Sequence, residues 1–191
     1  DHADLCQTKF MEALPLMRLA SGSEQNMQVD EVWMRSALRM IGPDGLIYWP
    51  ALPWAPKPCW GDISPDGAAQ YAVPVFNGRA LSALTIYMLR DPAGPWRAAG
   101  ERVTQALYDL AIHQGDFAYF PQGGFTPDGP RPRQAEMPIG IWASLAGWIT
   151  QGLAHFYRAS GFAPAGELAG KLARYIAYHG RYYGPGGEFL H

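Results

Sequence analysis

One pattern is written three times in this chain, and it decides the fold. Arg39-Met40-Ile41-Gly42 runs on to Tyr48-Trp49-Pro50; Ile112-His113-Gln114-Gly115 runs on to Tyr119-Phe120-Pro121; Tyr178-His179-Gly180 runs on to Tyr182-Tyr183-Gly184-Pro185. Each reads as a helix end, a glycine stop, paired aromatics and a proline. Gly42, Gly115 and Gly180 stand 73 and 65 residues apart. Each unit holds two helices joined by a short turn, then a long aromatic connection. A near-constant period of this kind indicates units that each bury a neighbour's face.

The helices come from apolar spacing. Residues 4–20 carry Cys6, Phe10, Ala13, Leu14 and Met17 on one stripe, which is expected to be buried, with a kink or break at Pro15. Helices are also predicted over about 24–41, 79–89, 95–113, 138–160 and 164–179. The helix over 79–89 is apolar on nearly all sides, as befits one held between two layers. Short strands are expected at Leu46–Trp49 and at Tyr71–Phe76, with Pro74 confining the second to a sheet edge. Between them lies Tyr48–Trp60, with four large aromatics and four prolines, too rich in proline for a helix or a central strand. Residues 116–136 read as a second long connection.

Composition narrows the class. The 191 residues suffice for one good core. Aromatic content is 13% and charged content 17%, with 22 Gly and 17 Pro, which is too aromatic for disorder. The net charge of −2, with no basic stripe, offers nothing to nucleic acid. No run reaches the ~18 apolar residues of a membrane helix. The chain opens at Asp1 without Met or a signal-like segment, so residues upstream are expected. Cys6 and Cys59 read either as a pair or as two buried thiols.

The fold class expected is all-α: three helical hairpins, with long aromatic connections and short β-hairpins gathered at one rim, in a single domain over 1–191. This architecture resembles the (α/α) toroid carbohydrate-active enzymes: the unsaturated glucuronyl hydrolases, the β-L-arabinofuranosidase-like glycosidases and the toroid domains of polysaccharide lyases. The resemblance lies in helix-pair spacing and aromatic, glycine-rich connections, not in a catalytic motif. Complete toroids of that group close with more than three hairpins. The chain is therefore read as part of a longer toroid or as one that closes by association.

The resemblance implies an oligo- or polysaccharide substrate and glycoside hydrolysis by two carboxyls, one protonated and one ionised; β-elimination is the lesser option. Asp62, Asp116 and Glu136 are the catalytic candidates. Asp116 reads equally as a turn residue, and Glu136 as a first-turn charge at a helix N-terminus. Trp49, Trp54, Trp60, Tyr119, Phe120 and Tyr182 are the candidate stacking platforms. His113 and His179, at matching helix ends, read either as sugar ligands or as partners of free helix carbonyls. Arg131 and Arg133 read as carboxylate binders or as surface charges. No zinc-helix spacing, calcium loop, nucleophile elbow or phosphate loop is found, so no metal or cofactor is expected. The competing reading is a non-catalytic, glycan-binding or structural helical domain packed on a catalytic one. A terpenoid-cyclase-like toroid would need an Asp-rich motif that the sequence lacks.

Overall fold

The structure, a computed structural model of the chain, describes residues 3–50, 70–120, 125, 143–180 and 182–188. The described residues form an all-α fold. Its helices are α1 (Ala3–Ser21), α2 (Met27–Arg39), α3 (Pro74–Arg90), α4 (Trp96–Leu110), α5 (Ala143–Ser160) and α6 (Ala163–Arg174), the last running into a π-turn over Tyr175–His179. Short turns at residues 22–26, 91–95 and 161–162 join them in pairs. Helices α1, α3 and α5 lie side by side with α3 in the middle, while α4 packs on α3 and α6, and α2 on α1. Leu81, Leu84, Leu107, Ile149, Leu153, Phe156 and Leu168 fill the space between the two layers.

Helix α3 is buried along most of its length, as its apolar sequence requires. Its contact with α5 is unusually close. A Cβ on Gly152 would stand 1.8 Å from the Gly78 carbonyl oxygen, and one on Gly78 would stand 2.6 Å from Ile149 Cα. Only glycine lets the two backbones meet there.

The long connections are tied to one another and to the helix starts. The β1 strand (Trp49–Pro50) pairs antiparallel with β2 (Gln70–Tyr71). Ala72 then pairs with Phe125, linking the first connection to the second through N–H···O bonds of 2.6 and 2.7 Å. Asn77, fully buried in α3, accepts from the Ile47 N–H (2.7 Å) and donates to the Ile47 carbonyl (3.1 Å). At the opposite end, Arg97 of α4 donates to the Ser160 carbonyl beside the α5–α6 turn.

Several expectations are corrected. Two residues of the α1 stripe expected in the core face outward, Phe10 at 55% and Met17 at 66% exposed, while Ala13 and Leu14 are half-buried. Thr8, Met11 and Pro15 face inward instead. Proline supplies the reason. Pro15 has no N–H for the Met11 carbonyl four residues back, and the Tyr87 hydroxyl of α3 donates to that carbonyl at 2.8 Å. The helix therefore continues through Pro15, with its proline side turned to α3. The strand expected over Tyr71–Phe76 ends early, because Pro74 opens α3 at the first helical position, where a missing N–H costs nothing. Helix α4 stops at Leu110, not His113. Residues Ile112–Gln114 form β3, which pairs with β4 (Phe117–Tyr119) around Gly115 at φ 57°.

Candidate functional site

A charged and aromatic cluster crosses the α1–α3–α5 layer. Arg79 stands in the second turn of α3, Trp148 in the second turn of α5, and Lys9 and Glu12 in the first half of α1. The Arg79 guanidinium reaches Glu12 Oε2 at 3.2 Å. Its Cζ lies 5.1 Å from the Trp148 ring centroid, and Lys9 Nζ lies 5.6 Å from the same ring. Both distances are within cation–π range. The Arg79 and Glu12 side chains keep only 19% and 17% of their surface exposed. Arg79 Nε is buried and has no hydrogen-bond partner among the described residues. A half-buried indole beside a fork of donors and a carboxylate suits a ligand with a flat apolar face and a polar edge.

The position follows from the fold. Arg79 and Trp148 each stand near a helix start that a long connection leads into, since residues 40–73 precede α3 and 111–142 precede α5, and Lys9 and Glu12 reach them from α1. Sequence reasoning missed all four as site residues. A signal was present, since Arg79 is the sole charge between Pro74 and Leu89.

A second cluster lies where the β3–β4 hairpin packs on α6. Phe117 stacks on His179 with centroids 3.9 Å apart, and Tyr119 stacks on Tyr175 at 5.2 Å. Tyr182 meets Tyr175 edge to face. Burial pushes the phenols of Tyr119 and Tyr182 up from the ordinary tyrosine value. Beside this cluster, His113 Nε2 donates to the Tyr108 carbonyl at 2.8 Å, in the last turn of α4. That leaves Nδ1 as the acceptor facing Lys171 Nζ, 3.5 Å away. Tyr108 Oη donates to Glu167 Oε1 at 2.6 Å, and Lys171 pairs with the same oxygen at 3.0 Å. The tyrosine bond, then the lysine, holds the Glu167 carboxyl below its ordinary range.

The expected site residues do not form one constellation. Tyr119, Phe120 and Tyr182 are core residues, with their rings covered by protein. His113 belongs to β3 rather than to a helix end, and it makes the carbonyl contact that was one of its two readings. His179 closes the π-turn against Phe117. Asp116 occupies the hairpin turn with its side chain 72% exposed, and its carbonyl accepts from Arg174 of α6. Trp49 contributes backbone to β1. Trp54, Trp60, Asp62, Glu136, Arg131 and Arg133 lie outside the described residues. No protein-family model, curated protein or solved structure matches the chain. Among the described residues no helix is long and apolar enough to cross a membrane, and no group of three or more His, Cys, Asp or Glu side chains could hold a metal ion.

Proposed function

We propose that this chain is part of a carbohydrate-active domain of (α/α)-toroid type, acting on an oligo- or polysaccharide as a glycoside hydrolase does, through paired carboxylates. The supporting observation is the Lys9–Glu12–Arg79–Trp148 cluster on the α1–α3–α5 layer, near the helix starts that the aromatic connections enter. Trp148 serves as the stacking surface, while Arg79 and Glu12 take hydroxyls. Asp62, Asp116 and Glu136 remain the proposed reacting carboxyls, and Asp62 and Glu136 belong to the two long connections. The uncovered flank of α1 and α2 supports a further neighbour, either more of the same polypeptide or a second copy.

The alternative is a non-catalytic glycan-binding domain. It is favoured by the placement of Asp116 beside α6, on an element outside the α1–α3–α5 layer. Titrating the chain with a panel of oligosaccharides while following tryptophan fluorescence tests both readings. Saturable quenching that is lost in Trp148→Ala and Arg79→Ala supports the cluster as the sugar site. Absence of binding across the panel refutes it. Product analysis of Asp62→Asn, Asp116→Asn and Glu136→Gln separates enzyme from module. If all three cleave a glycan as fast as the wild type, the carboxyl assignment is wrong. If the wild type binds but never cleaves, the module reading holds.

A further inference from the structure

The Lys9–Glu12–Arg79–Trp148 cluster is not balanced in charge. Its one carboxylate, Glu12, already pairs through Oε2 with Arg79 Nη2 at 3.2 Å. Lys9 Nζ stands 5.6 Å from the Trp148 ring centroid and forms no ion pair among the described residues. Two cations against one acid leave an excess positive charge beside the indole. The guanidinium is also incomplete. Arg79 Nε is closed to solvent and has no acceptor among the described residues. A buried donor without an acceptor carries a desolvation penalty that nothing offsets, and the penalty is larger on a charged group.

A neutral hydroxyl accepts from a free donor but leaves the charge unbalanced. An oxyanion answers both features at once, since it brings a negative charge and the lone pairs that charged donors hold most strongly. The indole adds a flat apolar face to the same spot, with Arg79 Cζ 5.1 Å from its centroid. We infer that the site is built for an acidic sugar rather than a neutral one. The ring lies against Trp148, and its carboxylate or sulfate ester is held between Arg79 Nε–H and the Lys9 ammonium. The inference rests on the reading of this cluster as a sugar site. Lys9 is the movable part: it is half-buried on a flexible four-carbon stem, so it can yield the indole to the sugar and turn to the anion. Arg79 is held in place by Glu12, which also repels an incoming anion and so limits its affinity.

Three probes of one ring shape test it on the intact chain: methyl glucoside, methyl glucuronide and glucose 6-sulfate. Binding is read by NMR at the indole N–H of Trp148, assigned by its loss in Trp148→Phe. At least one anionic probe should bind about ten- to a hundredfold tighter than the glucoside, the scale of one charge-assisted hydrogen bond. A lead for the glucuronide identifies a carboxylate as the anion, and a lead for the sulfate identifies a sulfate ester. Lys9→Gln should remove most of that ratio. So should Arg79→Lys, which keeps a cation for Glu12 but has no Nε donor. Glu12→Gln should raise the ratio, because it removes the repulsion. Equal affinities for the three probes, read at Trp148, overturn the inference and leave the sugar site standing. An anion preference that survives both Lys9→Gln and Arg79→Lys also overturns it, since the anion is then held elsewhere. If no probe binds, the sugar site and the inference fall together.

Discussion

At the residue scale, two side-chain contacts carry measurable consequences. The Tyr87 hydroxyl serves the carbonyl that Pro15 leaves without a helical donor. Tyr87→Phe should therefore cost about 1–3 kcal/mol, the penalty for a buried carbonyl left unpaired. In a Pro15→Ala background the new alanine N–H supplies the missing bond, and the same substitution should cost distinctly less; urea denaturation of the four proteins measures the coupling. Equal costs in both backgrounds would refute the account. The second contact is Tyr108 with Glu167. Because the hydroxyl holds that carboxyl below its ordinary range, Tyr108→Phe should raise the Glu167 pKa, as read by carbon-detected NMR titration. A carboxyl depressed in the folded state stabilises above its unfolded pKa and loses that contribution as pH falls through the folded value. Tyr108→Phe should accordingly destabilise at neutral pH, where that contribution is fully present, and the gap from the wild type should close as pH falls through the folded Glu167 pKa, leaving only packing differences in acid.

Among the helices, α5 offers an internal contrast. An added methyl at Gly152 meets the Gly78 carbonyl oxygen, whereas one at Gly147 meets nothing within 4 Å. Gly152→Ala should destabilise by about 1–3 kcal/mol or more, since backbone must move. Gly147→Ala should be neutral or should stabilise by about 0.5–1 kcal/mol, because alanine loses less freedom on entering a helix. Thermal unfolding of the pair settles the matter: matching shifts would mean that α3 and α5 approach less closely than their glycines allow. Helix existence was legible from apolar spacing, but the ends were not. Leu110 ends α4 because Ile112–Gln114 finds a strand partner in Phe117–Tyr119, a competitor that helix periodicity does not register. Pro74 fits a strand edge and a helix start equally well until the buried Asn77 anchors Ile47 one turn further on.

For the whole molecule, the sequence by itself determined the number of helices in the described residues, their pairing through short turns, and the encasement of α3, because these follow from local periodicity and turn chemistry. The aromatic pairs after each glycine were legible too, but their use was not: Tyr119 and Tyr182 went into a core with Tyr175. Only tertiary structure decided which face of α1 turns inward, since the Met11 carbonyl that Pro15 leaves without a helical donor is met by a hydroxyl 76 residues away. Only tertiary structure, likewise, brought Lys9, Glu12, Arg79 and Trp148 together. Their proximity arises from three helices lying side by side, and no local pattern encodes a contact between residues so far apart along the chain.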